Sequence, residues 1–311
     1  MGGVASLGLG SRPAFAQAGT LNFQAAWIND AEFMGYFIAI ENGYYADEGL
    51  TVNYLSGGPD VIPESTLISG RADIALTSPD TTIRAIAEQG APFKIIGQQY
   101  QKNPIGVVSL ASSNISSPAD LVGKTLAVPP VNTTSVEAMF RLAGVPIDQV
   151  RIVPYQFDPT PLILEEIDAS IDFVTAVPYI VEQAGKEPVW FLLYDFGFKI
   201  GNDTIVVTEE TLANRRPELV SWLRASRLGW EENAVDLERY PAMYADSWFA
   251  GTGRSTEVDT FQNVAQEPLQ AHPDGYFSMT EETIAETIAS LAEVGITATR
   301  DMFDTTLLEE I

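Results

Sequence analysis

Trp27–Tyr54 reads WINDAEFMGYFIAIENGYYADEGLTVNY, and its reading decides the fold. The flanks are strand-like: Thr20 to Ala26 alternates apolar residues, and Leu50 to Leu55 is short, β-prone and bounded by Gly49 and Gly57. Between them Phe33, Phe37, Ile40 and Tyr44 fall at helical spacing, which predicts an amphipathic helix stopped by Asn42-Gly43. The segment is therefore a βαβ unit, and the loop between its first strand and helix opens at the carboxyl edge of a sheet, where ligands bind. That loop holds Trp27, Asn29, Asp30, Glu32 and Phe33. Trp27 offers a flat apolar face, and Asn29 and Asp30 offer directed hydrogen-bond partners. A plainer alternative has Trp27 in the core and Asp30 as a helix cap only.

Downstream the α/β rhythm continues. Pro63 to Ile68 reads as a helix, Ala72 to Leu76 as a buried strand, and Thr77-Ser78-Pro79-Asp80 as a loop into a helix from Thr81 to Gln89. Gly57 and Gly58 allow backbone amides close to a ligand, and the Thr77 and Ser78 hydroxyls can bond it or cap a helix. The strand Phe93 to Gln98 runs into Gln99-Tyr100-Gln101-Lys102-Asn103-Pro104, a polar, proline-ended first hinge candidate. From Gly106 a second series begins. Asn132, Thr133 and Thr134 precede a helix from Ser135 to Leu142, a start that seats an anionic edge or is merely capped. Later loops carry Asp158, Tyr179 and Asp195, and a second crossing is expected near Asp195 to Asn202. The expected helices are Thr160 to Ile167, Leu212 to Leu228, Trp230 to Glu238, Thr280 to Glu293 and Phe303 to Ile311.

Three features carry a resemblance. They are the Trp27 helix with AIENGYYADEGLTV, the 55–97 stretch LSGGPDVIPESTLISGRADIALTSPDTTIRAIAEQGAPFKIIG, and the later DLVGKTLAV, SIDFVTA and VVTEETLANRRPELVSWLRASRLGW. In this order, from Leu21 to about Trp230, they resemble the periplasmic solute-binding proteins of the alkanesulfonate, nitrate and thiamine-pyrimidine precursor (SsuA/ThiY-like) group. The resemblance implies an α/β type II periplasmic binding protein, with two α/β lobes joined by a two-segment hinge. It sets lobe one at 19–102 and 203–311 and lobe two at 103–202. It also implies a small-molecule ligand, an ABC transporter membrane permease as partner and a monomer; the residues themselves carry no cofactor motif, so no cofactor is expected.

Composition bounds the rest. The 311 residues are 46% hydrophobic and supply two cores. Seventeen basic against 42 acidic residues give a net charge of −25, which argues against nucleic acid and anionic lipid. The chain has no cysteine, hence no disulfide, thiol nucleophile or lipid-anchor cysteine. Val4 to Leu9 with the Ala14 to Ala18 A-x-A pattern resembles the end of a signal peptide, so residues 1–18 are set aside as a leader remnant and an exported, periplasmic protein is expected. No later apolar run approaches the ~20 residues of a membrane span.

Enzyme chemistry is poorly provided for. His272 is the lone histidine, in a turn before Pro273-Asp274-Gly275, and no metal motif or nucleophile elbow occurs. Gly123-Lys124-Thr125 lacks the earlier glycine of a phosphate loop. The candidate ligand-binding residues are Trp27, Asn29, Asp30, Phe33, Gly57, Gly58, Thr77, Ser78, Gln99, Tyr100, Asn132, Thr133, Asp158, Tyr179 and Asp195. Aromatic faces and acidic or neutral polar groups, with only Lys102 and Lys124 as nearby cations, suit a flat nitrogen heterocycle better than an inorganic anion. The alternatives are riboflavin, an alkanesulfonate or taurine, nitrate, a pyrimidine-precursor synthase on the same fold, and a sensor domain.

Overall fold

β1 (Gly19–Gln24) and β2 (Leu50–Leu55) pair in parallel along their whole length, from Gly19 opposite Leu50 to Gln24 opposite Leu55. This unit opens a computed structural model that describes residues 19–311; the leader expected at 1–18 lies outside them. Between the strands run a 3-10 turn at Ala31–Phe33 and α1 (Met34–Glu41), ended where Gly43 takes a left-handed backbone, φ 78°.

α1 is not amphipathic as its spacing predicts. Met34 through Ala39 are all buried, because a second helix covers the side that was expected to meet solvent. Along the chain follow α2 (Pro79–Gln89), α3 (Thr133–Leu142), α4 (Val177–Gln183) and α5 (Arg216–Val235). α5 is the covering helix. A Cβ at Gly229 would collide with the Gly35 carbonyl, and one at Gly35 with the Trp230 indole, so both positions must be glycine for the axes to come this close. α6 (Thr256–Gln270) and α7 (Glu281–Ala292) complete the longer helices.

Two five-stranded sheets result. The first is ordered β2-β1-β3-β10-β4, with β3 at Ile74–Thr77, β4 at Phe93–Tyr100 and β10 at Asn202–Thr208. The second is ordered β7-β6-β8-β5-β9, from β5 (Ile105–Leu110), β6 (Thr125–Val128), β7 (Arg151–Pro154), β8 (Ala169–Phe173) and β9 (Pro188–Leu192). The chain leaves the first sheet after Tyr100 and returns at Asn202. In both sheets the first strand after a crossing is inserted antiparallel: β5 between β8 and β9, β10 between β3 and β4. This is the α/β, two-lobed periplasmic-binding-protein architecture.

Several expected elements differ. The helix expected from Thr160 to Ile167 is one turn, Thr160–Ile163, because Glu165 adopts φ 61° and breaks it. The break expected before Trp230 is absent, and α5 runs through it. Phe303 to Ile311 is not a helix: 3-10 turns at Arg300–Met302 and Leu308–Glu310 flank Phe303, which bridges to Ile95 at the sheet edge. No helix among the described residues is long and apolar enough to cross a membrane.

Candidate functional site

Parallel strands deliver their following loops to one edge of each sheet, and the two edges face each other across a cleft of about 450 Å³. The first sheet contributes Trp27, Asp30 and Glu32 from the loop after β1, and Ser78 and Thr81 from the start of α2. The second contributes Val131 and Asn132 after β6, Phe157 and Pro159 after β7, and Asp172, Phe173, Ala176, Val177 and Ile180 from β8 and α4. The two inserted strands run the other way, so their starting residues reach the same edge: Ile105 of β5, and Asn202 and Asp203 of β10.

An aromatic pair bridges the mouth. The Trp27 indole meets the Phe157 ring at 5.0 Å between centroids and 62° between planes, an edge-on contact. Phe157 is held at φ 58°, a conformation a bulky side chain rarely adopts, and it remains 40% exposed.

Behind the Trp27 loop lies a buried charged cluster. Asp30 accepts from the Glu32 amide at 2.8 Å and from Gln262 Nε2 at 3.3 Å, with Arg254 Nη1 3.8 Å from its Oδ2. Arg254 is itself committed: its Nε donates to Asp259 Oδ1 at 2.7 Å and its Nη2 to Gln262. Burial works against the Arg254 charge, but Asp30, Asp259 and Glu32 outweigh it and hold its pKa above the usual value. Burial pushes the carboxyls up. Asp30 rises despite Arg254, and Glu32 rises well above the ordinary range through burial with Asp203 and Asp30 beside it. Burial raises Asp203 to about 7 and, on the opposite wall, Asp172 to about 7 even with Ser170 bonding it.

Of the candidate residues, Trp27, Asp30, Ser78 and Asn132 line the cleft. The others do not, each for a visible reason. Asn29 braces its own loop, donating to the Trp248 carbonyl at 3.0 Å and accepting from the Tyr54 hydroxyl at 3.1 Å. Phe33 is fully buried against Phe37 and Tyr54. Gly57 donates to the Trp27 carbonyl at 2.9 Å, where any Cβ would press on the 25–27 backbone, and the Gly58 carbonyl accepts from Val61. The Thr77 hydroxyl bonds Thr82 in the first turn of α2 and Thr204 on the neighbouring strand β10. Gln99 donates to the Glu32 carbonyl at 2.7 Å, and the buried Tyr100 hydroxyl donates to Gln266 at 2.7 Å, so both support the floor from beneath. Thr133 turns back to the Pro130 carbonyl, Asp158 caps the Thr160 amide, and Tyr179 stacks on Phe261 at 5.0 Å. Asp195 pairs with Lys102 at 3.9 Å between the two crossing segments.

Sequence reasoning missed Asp172, Asp203, Arg254 and Gln262. The expectation of no arginine nearby is overturned by Arg254, which lines the cleft. The one signal for it was the Gly251 and Gly253 loop leading into Ser255, whose hydroxyl caps α6 by accepting from Val258. α6 itself carries no apolar stripe on its buried face. Gln262, Asn263 and Gln266 lie there instead, and Gln266 Nε2 satisfies the Ala31 carbonyl at 2.6 Å. His272 is not among the lining residues, and no lysine is either.

The family described as NMT1/THI5 like matches residues 30–236. Among curated proteins, the chain is 26% identical over 217 residues to the formylaminopyrimidine-binding protein of Halalkalibacterium halodurans, covering 68% of this chain and 66% of that one. It is 26% identical over 210 residues to the riboflavin-binding protein RibY of Chloroflexus aurantiacus, covering 66% and 59%. It is also 27% identical over 212 residues to the 4-amino-5-hydroxymethyl-2-methylpyrimidine phosphate synthase of Legionella pneumophila, covering 65% and 66%. The matches thus span 59–66% of the length of these relatives. In fold, the chain is similar to the periplasmic aliphatic sulphonate binding protein SsuA from Escherichia coli, with a TM-score of 0.69, 14% identity, and 88% of this chain and 91% of that one covered.

Proposed function

The chain belongs to the NMT1/THI5-like family, and from that premise we propose that it captures a small, flat, nitrogen-bearing aromatic compound between its lobes and delivers it to the membrane permease of an ABC importer. The observation that carries this reading is the cleft itself: an indole and a phenyl ring from opposite lobes at its mouth, with buried carboxyls on both walls. A ligand ring packed in the cleft against Trp27 or Phe157 gains about 0.5–1.5 kcal/mol per aromatic partner beyond area burial. Closure would turn 103–202 against 19–102 and 203–311 about the two crossings, excluding water so that each hydrogen bond counts for more.

Two observations oppose the nearest alternatives. Arg254 is the natural seat for a sulfonate, but its guanidinium is taken by Asp259, Gln262 and Asp30, leaving no free fork. A synthase working through an amine or imidazole nucleophile would need a lysine or histidine, and neither lines the cleft. The pyrimidine and flavin ligands in the names of two relatives point the same way. A melting-temperature screen with aminopyrimidines, flavins, taurine, alkanesulfonates and nitrate tests the reading, since a ligand that binds only the folded state stabilises it by mass action. The aromatic heterocycles are expected to raise the melting temperature and the anions to leave it unchanged. The reverse pattern, or turnover of the bound compound, would overturn the proposal.

A further inference from the structure

Two carboxyls of the cleft, Asp203 and Asp172, form no ion pair with any cation among the described residues. Asp203 is 2% exposed, and its Oδ2 finds no donor among the described residues, although the residue lines the cleft. Its other oxygen takes a long contact of 3.5 Å from Asn202, and the neighbouring Glu32 carboxyl, kept protonated by burial, is the one group that bonds it. The backbone there is left-handed, φ 47°, at the point where the chain re-enters the first sheet. Around it stand Asp30 and Glu32 from the Trp27 loop and the buried hydroxyls of Tyr36, Tyr54 and Tyr100, none of which supplies positive charge. Arg254, the nearby cation, is spent on Asp30, Asp259 and Gln262. Across the gap Asp172 is 3% exposed, with the Ser170 hydroxyl on one oxygen and Tyr155 beside it.

A buried carboxylate with no cation beside it is costly to ionise unless something brings it charge and further donors. We infer that Asp203 and Asp172, one on each wall, are specificity determinants for a planar cation of the amidine type, a flat ring whose adjacent N–H groups can fork onto a carboxylate. This deepens the proposed capture of a flat ring and rests on it. The same arrangement governs closure. With both carboxyls ionised and the cleft empty, bringing the walls together sets like charges against each other, whereas a cation between them removes the opposition.

Asp203 and Asp172 are both raised to about 7 by burial, so each is neutral at pH 5.5 and ionised at pH 8.5. Benzamidine stays protonated across that range, and benzamide is its neutral counterpart of the same shape. Calorimetric titration of the full chain is expected to show benzamidine binding at least tenfold tighter at pH 8.5 than at pH 5.5, with benzamide weak and flat across the range. Asp203→Asn should remove most of that slope while melting as a folded protein, because asparagine tolerates the left-handed backbone. Should that variant fail to fold, Asp172→Asn on the other wall carries the same expectation. Benzamide binding as tightly as benzamidine at pH 8.5, or an undiminished slope in the variants, would overturn the inference. If flavins bind but benzamidine does not, the inference falls and ring capture stands; if no flat ring binds at all, ring capture itself falls.

Discussion

Arg254 holds together two buried carboxylates that would otherwise face each other uncompensated, Asp30 and Asp259. Removing one partner from such a cluster leaves unpaired charge in the interior, which costs about 3–5 kcal/mol. Arg254→Met should therefore lower stability by that order in chemical denaturation. The loss should be larger at pH 8 than at pH 6, where the orphaned carboxyls can take up protons instead; a variant as stable as the parent at pH 8 would show that Arg254 is not structural. At this scale Trp27, Asp30, Ser78 and Asn132 were legible because they follow parallel strands, whose ends mark ligand-binding edges. Asp203 was not. It lies at the beginning of β10, and only the antiparallel insertion of that strand turns its beginning toward the cleft. Asp172 hides inside an apolar run of β8 that reads as core.

Among the elements, the contact of α1 with α5 is the least tolerant. Gly229 and Gly35 meet backbone to backbone, so Gly229→Ala forces the helices apart and disturbs the Tyr36 ring, which stacks on Trp222 and meets Trp230 edge-on behind them. Overpacking of this kind costs about 1–3 kcal/mol. The variant should melt measurably lower while keeping its helical circular dichroism, and an unchanged melting temperature would mean that the helices have room to spare. The opening βαβ unit could be read because its strands are bounded by turn residues and its helix by Asn42-Gly43. α6 could not, because its buried face is polar: Gln266 there bonds the backbone of the Trp27 loop rather than filling a core, and the helix includes Pro268. The tail after Arg300 failed for a related reason, since Phe303 and Leu307 anchor it to the first lobe without helical periodicity.

For the whole molecule, burial of acidic groups couples folding to pH. Asp203 and Asp172 titrate near 7 in the folded protein against an ordinary value of 3.8, so the folded state binds more protons than the unfolded one between about pH 4 and 7. Their contribution is fully present below the unfolded value and is lost as pH rises through 7. The net charge of −25 acts in the same direction, since protonation relieves self-repulsion. The ligand-free protein should accordingly melt higher at pH 6 than at pH 8; a higher melting temperature at pH 8 would contradict the burial of these groups. The two-sheet architecture was readable from the repeating α/β pattern and the quoted motifs. The composition of the cleft was only half readable, because it joins residues more than two hundred positions apart, such as Asp30 and Gln262.

Capture of a flat ring against Trp27 is tested most directly by calorimetric titration of the parent and Trp27→Ala with whichever aromatic heterocycle stabilises the parent most. Losing the indole should weaken binding by about tenfold or more, as expected for a stacking partner stripped of its aromatic and buried-area contributions, with the melting temperature of the ligand-free protein nearly unchanged. Equal affinities for the two proteins would contradict it.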